Sequence, residues 1–416
     1  MNKNLPLLLC SCLFSVSVFA QDSTGSQPFV QQDIKDWLRH IGWSKKPPKP
    51  ASNNFMLILP YIASNPTAGL MIGGGLTYAF KANKQDQRLS SISANASYST
   101  KKLLNLNVKS NAFVMREKMV LNGDWRLMIN SETTFGLGTK AFHPSSTQIN
   151  GYDTGEDTAG QVLRFNQVRL HEVASYQLVK NVYAGIGFHF DYFYNIQDAA
   201  LSAGDSAGSH HYQYSITNGF DYTKYTISGF SVNLLLDSRD NQVNAYKGYY
   251  ANVNFRMNST VFGSSQNSTL LLTEYRSFHS LDPKSRHILA FWLYGNWSMG
   301  GEVPYLLLPA VGYDQRQRSG RGFTFGRFRG INMAYGETEY RFPISKRTGI
   351  LGGVAFVNAT TTDDPNDRVK MFQYLRAAWG GGLRIMMDKT SRTRLEVDAA
   401  IVNGSMAFYL GAQETF

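Results

Sequence analysis

A glycine-bounded arginine in the last quarter of the chain carries the clearest chemistry in the sequence. Gly320 and Gly322 flank Arg321, and glycines permit the positive φ of a sharp excursion that would project the side chain between them. A fixed guanidinium favours carboxylates in bidentate geometry. Glu337 and Glu339 follow two residues apart, so they share one face of a strand. We expect Glu339, with Glu337 behind it, to hold Arg321. The complete loop motif comprises Gly320, Arg321, Gly322, Phe323, Arg327 and Arg329.

Other side chains that could support catalysis or metal binding are isolated in the sequence. Ser209, His210 and His211 are consecutive, but no acid is paired with them, and solvated loop residues are the better interpretation. The acidic run 363–367 could bind Ca²⁺ weakly, although its composition is typical of a polar turn. We therefore expect a protein that is not an enzyme, with no catalytic residues, no metal and no cofactor.

The N-terminus predicts export. Lys3 precedes an apolar run over residues 5–19 that is too short to span a bilayer and ends in a small-residue cleavage site. We predict a signal peptide over residues 1–20. The alternatives are a retained anchor, which the following polar stretch disfavours, and a lipoprotein at Cys10 or Cys12. Both cysteines lie in this segment, so the exported chain would have no disulfide and no thiolate metal site.

Residues 21–54 form a short tail ahead of the strands. Its segment 33–43 has apolar residues at helical spacing, which predicts an amphipathic helix, and residues 45–50 form a stiff Lys/Pro linker. The helix could lie at a membrane interface, dock in a barrel mouth or bind a partner. The fourth placement is packing on the periplasmic rim of the barrel without a functional role, and we weight it equally with the other three combined. The apolar positions are Ile34, Trp37, Leu38 and Ile41.

Alternation of apolar and polar residues indicates strands through most of the remaining chain. Aromatic residues make up 13% and charged residues 17% of the sequence, and no apolar run after the signal peptide is long enough for a membrane helix. In residues 182–192 the apolar side chains alternate with Gly185, Gly187, His189 and Asp191. A soluble sandwich also has such strands, so the connections must decide. Charge on a lipid-facing surface would cost about 2–4 kcal/mol at mid-depth, which assigns the charged faces to a lumen.

The connections between strands favour a membrane barrel. Short turns alternate with long loops, and an even strand count places both termini at the periplasmic end. We assign residues 133–140 to a loop, since a further strand would break this parity. The predicted fold is an all-β transmembrane antiparallel barrel of about 16 strands over residues 55–416, with a short N-terminal periplasmic helix. The long loops are predicted near 131–161, 195–222, 301–330 and 360–371.

The two ends of the barrel sequence predict a lateral seam. Pro60 lacks an N–H and weakens the ladder of the first strand. Alternation places Phe408 and the terminal Phe416 on one face of the last strand. A terminal aromatic resembles the signal that outer-membrane barrels present to their barrel assembly machinery, which would be a partner during biogenesis.

The formal net charge of +11 is compatible with outer-membrane lipids as partners, because anionic headgroups attract basic loops. A polar lumen and loops that happen to be basic explain it equally well. No clustered basic face with a nucleic-acid motif is present, so we expect no nucleic acid partner.

The sequence resembles the BamA/TamA superfamily of outer-membrane assembly and translocation barrels, the bacterial surface antigen family. Residues 320–330 look like the family's Arg-Gly-Phe loop signature, and residues 236–241 with Gly248 and Tyr249 resemble its Asp-x-Arg-Asp-Asn element at a periplasmic turn. The resemblance covers roughly residues 55–416. It implies that acidic groups on inner strand faces hold the loop arginine.

Two departures from the family pattern qualify what the resemblance implies. The family tends to have an aspartate where this chain has Asn358, a candidate anchor of the loop that can accept a hydrogen bond but cannot neutralise Arg321. The assembly barrels also carry periplasmic POTRA domains, for which the predicted tail has no room, so the chain is similar to the branch of stand-alone barrels. A separate periplasmic protein would then supply the substrate.

Two functions agree with these features. The first is assistance with insertion or translocation of proteins or lipids at the outer membrane, through a seam formed by residues 55–62 and 406–416. The second is a passive pore for small solutes, since a barrel of this size can hold an aqueous channel. In either case, tethering of the loop by Arg321 is a structural role, and a role in gating rests on analogy.

Overall fold

The computed structural model describes residues 30–43, 54–65, 69–82, 88–140, 148–149, 152–153, 160–282, 286–402, 405–412 and 414–416. The predicted signal peptide and the predicted Lys/Pro linker lie outside these described residues.

Sixteen long strands and two very short ones form one sheet. Consecutive long strands pair in antiparallel orientation. The prediction of a barrel of about 16 strands is confirmed. The strands are β1 (Asn54–Asn65), β2 (Gly69–Phe80), β3 (Ser90–Ser99), β4 (Leu104–Val114), β5 (Met119–Thr134), β6 (Gln148–Ile149), β7 (Tyr152–Asp153), β8 (Gln161–Val179), β9 (Val182–Asp198), β10 (Tyr225–Asp237), β11 (Gly248–Asn258), β12 (Ser268–Ser280), β13 (Ile288–Gly301), β14 (Asn332–Pro343), β15 (Leu351–Thr362), β16 (Arg376–Asp388), β17 (Thr393–Val402) and β18 (Ser405–Gly411).

The strands β1 and β18 form the edges of this sheet. Within the described residues no ladder joins them. Instead, β18 pairs with β17 and, near its start, in parallel with the two residues of β6, so that Ala407 faces Gln148 and Phe408 faces Ile149. We call the boundary between β1 and β18 the seam.

The antiparallel order gives the barrel two ends. An even number of long strands places the start of β1 and the end of β18 at the same end, which we call the terminal end. The long connections after β5, β9, β13 and β15 lie at the opposite end, the loop end. In the described part of the segment 133–140, only Thr133 and Thr134 belong to a strand, as the last residues of β5.

Alternation along the strands sets an apolar outer face against a polar inner face. In β10, Val232 and Leu234 are about half exposed, whereas Ser231 and Asn233, which alternate with them, are buried. Since successive strand residues point to opposite faces, the exposed apolar side chains lie on the outside of the barrel.

A short helix, α1 (Ile34–His40), packs on the rim of the terminal end. Asp33 caps its first turn, and the Gln32 N–H donates to the Thr348 carbonyl in the turn after β14. Lys389 in the turn after β16 reaches Asp36 at 2.7 Å. Rim packing, one of the four placements considered for this helix, is therefore the one observed.

Two further helices, α2 (Ala199–Ser202) and α3 (His210–Thr217), lie in the connection after β9. Among the described residues, no helix has both the length and the apolar character needed to cross a membrane.

Candidate functional site: the lumen loop and its ion network

The connection between β13 and β14, residues 302–331, folds back into the barrel. We call it the lumen loop. Its two limbs are joined by a bridge between Ala310 and Arg329. Phe323 and Phe328 are buried and meet edge to face with their ring centroids 5.1 Å apart. They belong to a cluster with Trp292 of β13, so apolar packing holds the body of the loop inside the barrel.

The two glycines beside Arg321 adopt the conformation that the sequence suggests. Gly320 has φ of 77° and Gly322 has φ of 104°, both in the left-handed region that favours glycine. A Cβ at Gly322 would also lie 2.6 Å from the Cβ of Ala378. Close approach to the wall and backbone conformation therefore both require glycine at this position.

Arg321 is buried among three carboxylates. Its Nη2 lies 2.5 Å from Glu337 Oε1, its Nη1 lies 2.8 Å from Asp398 Oδ2, and Nη2 also pairs with Glu339. The guanidinium lies over the ring of Phe356, 3.6 Å from its centroid. The structure thus brings Arg321 together with both glutamates expected from the sequence.

Asp398 of β17 is a third partner that sequence reasoning missed. The signal was present, because Arg394, Glu396 and Asp398 alternate with apolar residues on one strand and must share the inner face. The sequence could not show that the loop reaches β17, because alternation along a strand gives the face on which a residue lies but not its distance from a loop across the lumen.

Asn358 tethers the loop without supplying charge. Its amide donates to the backbone carbonyl of Arg321 at 2.9 Å. On the opposite side, the N–H of Gly322 donates to the hydroxyl of Tyr409 at 2.8 Å. Tyr409 belongs to β18, so this hydrogen bond connects the loop directly to a strand of the seam.

The ion pairs around Arg321 continue into a wider network. Five arginines and five carboxylates are linked by ion pairs, so their formal charges balance. All lie inside the barrel, where a carboxylate without a cation would be costly. The members are Arg318, Arg321, Arg341, Arg384, Arg394, Glu337, Glu339, Glu396, Asp398 and Glu414.

The C-terminus turns into the lumen, which corrects the prediction for Phe416. The strand β18 ends at Gly411. Phe416 is only 2% exposed and lies against the ring of Trp292, with centroids 5.4 Å apart. Its carbonyl accepts from Arg341 Nη2 at 3.2 Å. Alternation cannot be extended beyond the last strand residue, so Phe416 is not part of an outward-facing seam surface.

Phe408 and Pro60 remain at the seam. Phe408 is 40% exposed on the outer face of β18. Pro60 lies in β1 opposite Gly74 of β2.

The remaining arginines of the motif anchor the base of the loop. Arg329 Nη2 lies 2.7 Å from Glu132 Oε1 of β5, and Nη1 donates to the Tyr305 carbonyl at 2.8 Å. Arg327 lies over the ring of Phe135, 3.9 Å from its centroid. Glu132 was not singled out in the sequence, where it falls within the loop predicted near residues 131–161, whereas the structure places it in β5.

The turn after β10 is a compact polar unit at the terminal end. Arg239 binds Asp237 through Nε at 3.0 Å and Nη2 at 2.8 Å. Asn241 accepts from the N–H groups of Val243 and Asn244 and donates to the Ser391 carbonyl. These contacts join the turn to the one after β16.

The structure corrects the interpretation of His211 as a solvated loop residue. His211 is fully buried in α3, where its ring meets that of Tyr305 at 5.7 Å between centroids. Burial lowers the pKa of His211 to about 4, so the ring is neutral at physiological pH. Ser209 caps α3 by accepting from the Tyr212 N–H. Across the described residues, no group of three potential metal ligands is found.

Sixteen antiparallel strands with an apolar exterior, a charged interior and a loop folded inside define an outer-membrane type of barrel with an internal loop. Residues 71–403 match the model of the Omp85 superfamily domain. The chain therefore belongs to the Omp85 superfamily and is an outer-membrane barrel. This confirms the resemblance found in the sequence.

Solved structures share the fold at low sequence identity. BamA from Haemophilus ducreyi lacking POTRA domains 1–3 matches with a TM-score of 0.52 and 15% identity, over 85% of this chain and 68% of that one. CdiB from Escherichia coli matches with a TM-score of 0.53 and 10% identity, over 88% and 62%. CdiB from Acinetobacter baumannii matches with a TM-score of 0.50 and 11% identity, over 84% and 57%. This chain thus spans about three fifths of the CdiB structures. Comparison with curated protein sequences returns no match.

Proposed function

We propose that this barrel assists the insertion or translocation of proteins, or of lipids, at the outer membrane, with the seam between β1 and β18 as a lateral gate. The carrying observation is the seam, where no ladder joins β1 to β18 in the described part of the chain, bordered by a strand whose Tyr409 holds the lumen loop at Gly322. A movement of β18 must break or carry this contact. The loop is therefore placed to respond to the state of the gate.

Family membership supports a role in transport of macromolecules and not in catalysis. We propose that the protein is not an enzyme. The buried ionisable groups of the lumen loop bind one another in a charge-balanced network, which suits a tether better than a reacting centre. Ser209 and His211 serve as a helix cap and as a packed ring.

The membrane topology follows from the same proposal. We place the terminal end, with α1 and both termini, in the periplasm and the long loops outside the cell, as in barrels whose periplasmic turns are short. Partners would be outer-membrane lipids around the barrel, the barrel assembly machinery during biogenesis, and a separate periplasmic protein that delivers cargo.

A cross-link across the seam tests the gate. Leu59 of β1 and Leu410 of β18 line the same cavity, so cysteines at these positions can be joined by a bifunctional maleimide. We expect the cross-linked barrel to lose activity in a reconstituted insertion or lipid-transfer assay. A control pair at Ile186 and Val232, which face each other in the closed ladder of β9 and β10, should leave activity unchanged.

Full activity of the seam-linked barrel would refute the gate. Single-channel recording then addresses the passive pore. If conductance is the same with and without residues 313–329, a pore for small solutes is favoured. If instead the loop fills the lumen, deleting these residues should raise the conductance.

A further inference from the structure

A cavity of about 370 Å³ lies inside the barrel beside the seam. Its wall includes Pro60 and Tyr61 of β1 and Gly411 at the end of β18. The inner faces of β2, β3 and β4 continue the wall with side chains that are neutral except for Lys109 of β4, and residues 315–318 of the lumen loop line the other side. The cavity therefore borders the seam.

Five cationic side chains line this cavity: Lys109, Arg239, Arg276, Arg316 and Arg318. Three of them are neutralised by carboxylates. Arg239 pairs with Asp237, Arg276 with Glu274, and Arg318 with Glu396.

The other two cations have no such partner. Among the described residues, neither Arg316 nor Lys109 forms an ion pair. Arg316 donates to the backbone carbonyls of Glu414 at 3.3 Å and Gln242 at 3.5 Å. Lys109 donates to the side-chain oxygen of Gln317 at 3.1 Å. Both are half-buried, so water shields their charges only in part.

The carboxylate that lies across from Lys109 in the sheet binds arginines instead. Asp124 lies opposite Lys109 in the β4–β5 register, but Arg126 Nη2 binds it at 2.6 Å and Arg169 Nη1 lies 3.5 Å away. Asn105 and Asn107 continue the inner face of β4 without charge. The cavity thus presents two cations that form no ion pair, with amide groups close by as additional donors.

We propose that this cavity binds a phosphate group. Arginine recognises phosphate oxygens in bidentate geometry and lysine binds them as a point charge. A phosphate could pair with Arg316 and Lys109 together, whereas no carboxylate of the described residues forms an ion pair with either. The phosphate can belong to a lipid headgroup that enters through the seam or to a small phosphate that enters from an end of the barrel. This site does not depend on the proposed insertion function.

Calorimetric titration of the full chain in a phosphate-free, uncharged detergent tests the proposal. The probes are inorganic phosphate, dioctanoyl phosphatidic acid and, as the matched uncharged lipid, dioctanoylglycerol. We expect saturable binding of at least one phosphate-bearing probe and none of dioctanoylglycerol. Tighter binding of the phosphatidic acid identifies the lipid source, and equal or tighter binding of inorganic phosphate identifies the soluble source.

Variants locate the site. Arg316→Gln combined with Lys109→Gln should weaken binding by about tenfold or more, the range expected for loss of charge-assisted hydrogen bonds. Lys224→Gln removes an exposed charge outside the cavity and should leave binding unchanged. Asn107→Asp adds a carboxylate beside the two cations and should abolish binding even if the double variant does not fold. Absence of binding by either phosphate probe, or unchanged affinity in a folded double variant or in Asn107→Asp, would overturn the proposal.

Discussion

Replacing Arg321 with glutamine tests whether charge holds the lumen loop in the barrel. The side chain is buried and pairs with three carboxylates. Two of these keep another arginine, but Glu337 retains only the Tyr335 hydroxyl at 2.6 Å. The substitution therefore leaves a buried carboxylate without a cation and a network with one excess negative charge.

The size of the effect follows from the cost of that carboxylate. Removing one partner of a buried ion pair costs about 3–5 kcal/mol. When the part of the loop around Arg321 moves away from the wall, most of the apolar packing around Phe323 and Phe328 is kept. The cost of the unpaired carboxylate therefore destabilises mainly the closed conformation of this part of the loop. Since about 1.4 kcal/mol corresponds to a factor of ten, the open fraction should rise between about a hundredfold and a few thousandfold.

Cysteine labelling measures this fraction. Ser319 is buried two residues before Arg321, so the maleimide reaction of a Ser319→Cys variant reports opening when the loop recloses faster than it reacts. We expect Arg321→Gln to raise the labelling rate by that factor. A cysteine at the exposed Ser206 controls for general reactivity. The mobility of unheated protein on SDS gels shows whether the barrel remains folded.

A second substitution separates charge from packing. Glu337→Gln in the Arg321→Gln background removes the orphaned charge, and we expect it to restore slow labelling in large part. If Arg321→Gln leaves the labelling rate at Ser319→Cys unchanged in a folded barrel, the ion pairs do not hold the loop and the reasoning fails.

Two further predictions concern the terminal end. Burial would raise the pKa of Asp36, but the hydrogen bonds from Lys389 and the Asp33 N–H, together with the charges of Lys389 and Arg39, outweigh it and lower that pKa below its ordinary value. Docking of α1 should therefore be fully stable above the ordinary carboxyl pKa and should weaken as the pH falls through the lowered pKa. Lys389→Gln should move this loss of docking to higher pH. Hydrogen exchange over α1 measures the docking, and protection that does not depend on pH would contradict the prediction. Phe416→Ala should destabilise the barrel by about 3–5 kcal/mol, as for a buried aromatic, and lower the temperature at which the folded gel band disappears. The outward-facing Phe408→Ala should lower it less, and an equal shift would argue that Phe416 contributes no lumen packing.

Local alternation was sufficient to predict the strands and which face of each strand is polar. It placed Glu337 and Glu339 on an inner face, where the structure has them against Arg321. The glycines at 320 and 322 likewise indicated a sharp turn, because their chemistry is local. What these inferences share is that each depends only on neighbours in sequence.

Contacts across the lumen could not be predicted in this way. Asp398 approaches Arg321 from β17, and Glu132 approaches Arg329 from β5. Both distances depend on the curvature of the sheet and on the path of the loop. Phe416 was misplaced for a different reason. The period of two holds only while the backbone is a strand, and β18 ends at Gly411, after which packing against Trp292 decides the direction.

The inward turn of the C-terminus links the two parts of the proposed gate. Arg384 Nε binds Glu414 of the tail at 2.8 Å and its guanidinium also pairs with Asp398, the carboxylate that binds Arg321. The C-terminal tail and the loop therefore belong to one set of ion pairs, in which Arg384 and Asp398 connect Glu414 to Arg321. Because an unpaired charge inside the barrel is costly, moving β18 with its tail weakens the hold on the loop, and withdrawing the loop weakens the hold on the tail. A passive pore has no need of such a connection, whereas a gate that opens at the seam uses it to clear the lumen at the same time.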